Sequence, residues 1–128
     1  MEAARQRAQT RRQRSAEGER AFTTFVTMAT PVLRHLAHAL RAEGLAFSLN
    51  TPEGALRLAS ERSRDDFIEL ALDKGGDQPG VTARISYSRG SRTIDEERPV
   101  KAGAAADGIS EEELLAFMLE ALAPWLER

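Results

Sequence analysis

Two histidines, His35 and His38, stand three residues apart. On a helix that spacing puts both side chains on one side, where they could supply two of the three or four ligands that a zinc ion requires. They lie beside Arg34 and Arg41 and opposite the apolar residues of the same segment. Neighbouring cations repel a metal and water competes for it, so two exposed helical histidines and no metal are expected. Cysteine is absent from the chain, which removes thiolate catalysis, thiolate metal sites and disulfides on chemical grounds and fits a cytoplasmic setting. No serine or threonine occupies a nucleophile-elbow or P-loop context. Acids cluster at Asp65-Asp66, Asp95-Glu96-Glu97 and Glu111-Glu112-Glu113. Each cluster has a local use, in a turn, on an edge strand and in a helix cap. The expectation is therefore a protein that is not an enzyme and holds no cofactor.

The arginines point elsewhere. A leader reading Arg5-x-Arg7-x-x-x-Arg11-Arg12-x-Arg14 contains no apolar residue beyond alanine, which suits an arm that meets phosphates through Arg11, Arg12 and Arg14. With no aromatic among these arginines, stacking on single-stranded bases has no support. A second group, Arg89 and Arg92, flanks a glycine-containing turn, where like charges opposed across two strands disfavour one another and an anion between them relieves the cost. Arg57 and Arg84 fall on the outward-facing positions of two predicted strands.

These groups need elements to position them. From Phe22 to Leu40 the residues Phe22, Val26, Ala29, Leu33, Leu36 and Leu40 recur at spacings of four and three and predict a helix, with Pro31 inside it as a kink or as the first residue of a restarted helix capped by Thr30. Phe25 and Val32 widen its apolar side. Glu43-Gly44 supplies a stop. Alternation then predicts strands around Leu45–Leu49, Leu56–Leu58, Ile68–Leu72 and Val81–Tyr87. Turn formers at Asn50–Gly54 and a loop over Gly75–Gly80 separate them.

Glycine at the first central position of Arg89-Gly90-Ser91-Arg92 predicts a type II′ hairpin. Its register pairs Tyr87 with Ile94 and Val81 with Val100 on one face and sets Arg84 opposite Glu97 on the other. It also turns Glu96 and Arg98 inward, which with Pro99 marks an edge strand. Ser110-Glu111-Glu112-Glu113 matches a capping box, opening a helix whose apolar side is expected to hold Leu114, Leu115, Met118, Leu119, Leu122, Trp125 and Leu126, with Phe117 off that side.

The order helix, five-strand meander, helix defines an α+β fold, a two-layer sandwich with both helices on one face of an antiparallel sheet. The domain is expected over residues 19–128, preceded by a basic N-terminal arm over residues 1–18 that is mobile or a helical extension. With 41% apolar and 30% charged residues the composition is that of a folding globular chain, and no apolar run is long enough to span a membrane. Net charge is only −2, yet Met1–Arg20 holds six arginines against three glutamates while Asp107–Arg128 holds six acids against one arginine. Opposite ends of this kind favour self-association or distinct partners. The reading from sequence is a non-enzymatic protein-interaction or adaptor module, self-associating as a homodimer or larger homo-oligomer. The alternative is a nucleic-acid-binding protein using the arginine arm and the Arg89/Arg92 tip.

Overall fold

A computed structural model of the chain describes residues 2–75 and 78–127; the middle of the loop expected over Gly75–Gly80 lies outside the described residues. A single helix, α1, runs from Glu2 to Ala42 over 41 residues, about 60 Å at the usual rise. The expected arm is thus about the first two-fifths of α1, and the boundary expected at residue 18 falls at Gly18 inside it. The helix passes Pro31 without a break. Proline cannot donate to the carbonyl of Thr27, but both residues are exposed, so the acceptor is not shut away from solvent. Upstream, Thr23, Thr24, Thr27 and Thr30 each donate from the side-chain hydroxyl to the carbonyl four residues back.

Five strands follow: β1 (Phe47–Asn50), β2 (Leu56–Ser60), β3 (Phe67–Asp73), β4 (Gly80–Arg89) and β5 (Arg92–Pro99), paired antiparallel in chain order. Two short 3₁₀ turns, Pro52–Gly54 and Ala106–Gly108, join elements, and the chain closes with α2 (Glu111–Ala121) and the single turn α3 (Ala123–Leu126). Pro124 explains the division of α2 from α3, because it cannot donate to the carbonyl of Glu120.

The β4–β5 register agrees with the hairpin chemistry. Tyr87 faces Ile94, Arg84 faces Glu97 and Arg89 faces Arg92, while Val100 donates its N–H to the carbonyl of Val81 at 2.9 Å. Gly90 has φ of 65° and Ser91 stays at negative φ, the combination a type II′ turn demands. One face of the sheet carries Phe47, Leu56, Leu58, Ile68, Leu70, Ala83 and Ile85, and all are buried against α1 and α2. Trp125 seals one end, edge-on to Phe47 at 5.4 Å and to Tyr87 at 6.0 Å.

The expected line on α1 holds from Ala29 to Leu40, with Phe25 taking the place of Phe22 and Val26 ahead of it, whereas α2 is rotated from its expected phase. On α1 the buried line is Gly18, Phe25, Ala29, Leu33, Leu36 and Leu40, with Phe22 and Val26 half-buried at its margin. On α2 Phe117 is buried with Leu114, Met118, Ala121 and Leu122, whereas Leu115, Leu119 and Leu126 are 40%, 49% and 47% exposed. Leu114, Leu115, Phe117, Met118 and Leu119 spread apolar side chains over more than half the circumference of α2, so periodicity does not choose the inward side. The capping box does form: the Ser110 hydroxyl accepts from the N–H of Glu113 at 3.1 Å and the Glu113 carboxylate accepts from the N–H of Ser110 at 3.0 Å.

Candidate functional site

The uncovered sheet face presents alternate residues of the strands that form the core on the other side. At its centre Phe67, only 7% exposed, lies beneath two arginines, with the Arg57 guanidinium 4.2 Å and that of Arg84 5.5 Å from the ring centroid. Arg57 donates to Glu69 from Nε at 3.1 Å and from a terminal nitrogen at 2.9 Å. Arg84 donates to Asp95 with its closest contact at 2.7 Å, and these bonds hold the Asp95 carboxyl below the usual carboxylate range. The partner of Arg84 is thus diagonal to it: Glu97 is its register neighbour, but Asp95 receives the bonds. Arg57 and Arg84, singled out in the sequence as binding residues, are brought together over one ring and each is engaged by an acid of its own sheet.

The acid clusters have internal uses as well. Asp66 is buried, and its Oδ1 accepts the N–H of Ser88 at 2.8 Å, while the Ser86 hydroxyl donates to the carbonyl of Asp65 at 2.6 Å. These bonds tie the β2–β3 turn to β4. Glu113 meets Lys101 at 2.6 Å in addition to the Ser110 N–H, which draws its carboxyl down to about 2. Among the described residues no three histidine, aspartate or glutamate side chains converge as a metal site requires, and His35 and His38 are both exposed.

Arg89 and Arg92 are exposed at the β4–β5 tip, where an open recess of about 580 Å³ is bounded by Tyr87, Ser88, Arg89, Gly90, Ala123, Pro124 and Glu127. The leader arginines are at the other end of the sheet. Gly18 of α1 abuts Pro79, next to Gly80 where β4 starts, whereas Arg89 ends that strand about 30 Å away. The two basic sites paired by the sequence reading are therefore separated by the length of β4.

Residues 2–14 run on from the body, and all of their arginines are exposed. Arg7, Arg11 and Arg14 follow at four and three residues and continue in phase the line that Gly18, Phe25 and Ala29 bury further along, while Arg5 and Arg12 form a second line. At the corner between arm and body, Arg11, Arg14, Ser15, Lys74 and Pro79 bound a recess of about 210 Å³. Lys74 there donates to Ser15 at 3.2 Å and meets Glu19 at 3.3 Å.

A fourth surface went unnoticed in the sequence. Between α1 and α2 lies a groove of about 390 Å³, bounded by Pro31, Val32, His35 and Leu36 on one side and by Glu111, Glu112 and Leu115 on the other. Leu119 lies one helical turn beyond Leu115. The exposure of Leu115 in this groove, and of Leu119 beyond it, follows from the rotation of α2, which the apolar pattern left undetermined.

These observations define the class: an α+β sandwich with a helix-lined apolar groove and a projecting basic helical arm. Comparison with protein-family models, curated proteins and solved structures finds no match. No helix among the described residues is long and apolar enough to cross a membrane.

Proposed function

We propose that the protein is a non-enzymatic interaction module that associates with a second copy of itself through the α1–α2 groove. The carrying observation is the pair of half-exposed leucines, Leu115 and Leu119, beside an apolar groove. Charge supplies the occupant. From Arg20 to Ala42 α1 bears no acid and sets His35 at the groove with Arg34 next to it in the chain, while α2 bears no base and sets Glu111 and Glu112 there; Arg41 and Glu113 are engaged within the chain, by Glu61 and Lys101. A two-fold axis through the groove sets the basic wall of each copy against the acidic wall of the other, the self-complementarity an isologous interface requires.

Complete burial of a leucine is worth about 1.5–3 kcal/mol, so four half-exposed leucines contribute about 3–6 kcal/mol. Association entropy costs several kcal/mol against this, so the leucines fall well short of the roughly 8 kcal/mol of micromolar affinity and, with the opposed charges added, a weak dimer toward the millimolar range is expected.

Sedimentation velocity over a concentration series tests the reading. A monomer–dimer equilibrium that is lost in Leu115→Glu/Leu119→Glu supports it. Reversal of the basic wall with Arg34→Glu/His35→Glu is expected to weaken the dimer, and further addition of Glu111→Arg/Glu112→Arg to restore it. A monomer at every concentration up to about 1 mM, the limit of useful affinity, rejects the reading.

A further inference from the structure

The groove leaves the arm unused, and the arm has a cost. A helix that is polar all round gains nothing from packing, and thirteen residues lie near the minimum length for a helix standing alone. Within residues 2–14, Arg7 and Arg11 are four apart and Arg11 and Arg14 three apart, spacings at which like charges on a helix repel. Glu2 is the one acid of this stretch in the sequence, and at the corner where the helix meets the body Glu17 and Asp107 line a recess together with Arg14, which leaves Arg5, Arg7, Arg11 and Arg12 as the outer cations. Lys74 adds a cation to the same corner, held there by Ser15 and Glu19.

We infer that this corner and arm form a docking surface for the sugar–phosphate backbone of nucleic acid, bound without regard to sequence. An acidic protein is the other polyanion such a surface could meet. Protein interfaces, however, draw their affinity from aromatic and apolar anchors at a desolvated centre, and residues 2–17 offer no side chain more apolar than alanine. Phosphate contacts need none. The arm extends about 20 Å, and a duplex presents a charge about every 1.7 Å along its axis, so the arginines of either line find partners without a fixed register. The absence of aromatics from the arm removes base stacking and with it a preference for single strands. Arg89 and Arg92, at the far end of β4, take no part.

The test is fluorescence anisotropy of the full chain with a mixed-sequence DNA duplex across a salt series. Three to five phosphate contacts give a slope of log K against log salt of about −3 to −4.5. Arg7→Gln/Arg11→Gln is expected to make that slope shallower by about 1.8. The equally discharged Arg62→Gln/Arg64→Gln, altered in the exposed β2–β3 turn, should leave it unchanged. All four positions are exposed and glutamine suits a helix, so circular dichroism should show both variants folded. No binding in 50 mM salt, equal losses in the two variants, or competition by poly-glutamate as effective per charge as by DNA overturns the inference, the last in favour of an acidic protein.

Discussion

Replacing the glycine of a helix interior by alanine ordinarily stabilises a protein by about 0.8–1 kcal/mol, because alanine has less backbone freedom to lose. Gly18→Ala is expected to do the opposite here. A Cβ at Gly18 would stand 2.7 Å from Cβ and 2.9 Å from Cγ of Pro79, closer than carbon atoms approach. The neighbour is a ring fixed in the chain, with Gly80 behind it in a place where an added Cβ would likewise stand 2.8 Å from the carbonyl oxygen of Ala104. Neither partner can yield without moving backbone. Overpacking of this kind costs about 1–3 kcal/mol, which exceeds the propensity gain and leaves a net loss of up to about 2 kcal/mol. For a domain of this size that is a fall in Tm of several degrees, about 3–5 °C per kcal/mol. Thermal unfolding of Gly18→Ala, Pro79→Gly and the double variant closes a cycle in which the general effect of each change cancels. A coupling of about 1 kcal/mol or more in favour of the double variant is expected from relief of the clash. A rise in Tm for Gly18→Ala, or a coupling of zero, would refute the reasoning. The same contact sets where the arm leaves the body, so a shift there should also move the basic corner.

Two other predictions concern charge. Glu113 is drawn from 4.5 down to about 2 by the Lys101 ammonium and by the Ser110 N–H, so its folded form favours the ionised carboxylate. Its stabilisation is complete above the unfolded value and fades as pH falls from 4.5 toward about 2. Glu113→Gln should therefore have a lower Tm than the parent chain at neutral pH, and the two should converge at the acid end of that window; an equal gap at both ends contradicts the assignment. Arg98, turned inward on β5, lays its guanidinium 5.3 Å from the Phe117 centroid and buries an Nε that has no hydrogen-bond partner. Arg98→Met keeps an apolar stem over the ring and removes the unpaired donor, so urea denaturation should report a gain of about 1 kcal/mol, and a loss of that size would show that the charge is needed.

What the chain reveals before folding depends on whether local geometry decides the outcome. The β4–β5 register was legible because one glycine with positive φ and a two-residue turn fix every pair that follows, down to Arg98 and Glu96 facing inward. The capping box was legible for a similar reason, since Ser110 and Glu113 need only each other's backbone. Rotation of α2 was not, because Leu115 and Phe117 are equally apolar and only the volume beneath the sheet selects Phe117. Nor was the full extent of α1: its first turns have no apolar line to report them, and their helical form is inherited from the buried stretch after Gly18. The diagonal Arg84–Asp95 pair escaped because strand register positions Cα atoms, while a long guanidinium chooses among the acids in reach. The sequence marked the arginines of the candidate sites, but β4 alone determines that the arm and the Arg89–Arg92 tip stand apart.

The nearest-neighbour order of the sheet also shapes how the molecule comes together. Each strand meets the one just made, so the meander grows by short closures that cost little chain entropy. The layer that shelters it is split between segments about seventy residues apart, because α1 ends at Ala42 before the sheet and α2 begins at Glu111 after it. A nascent chain that has finished β5 therefore carries Leu58, Ile68 and Ile85 under only part of their cover until Leu114, Met118, Leu122 and Trp125 arrive. That interval is when the chain is most open to aggregation, and the inward Arg98 and Glu96 with Pro99 on the last-made edge are placed where they discourage another strand from adding to it.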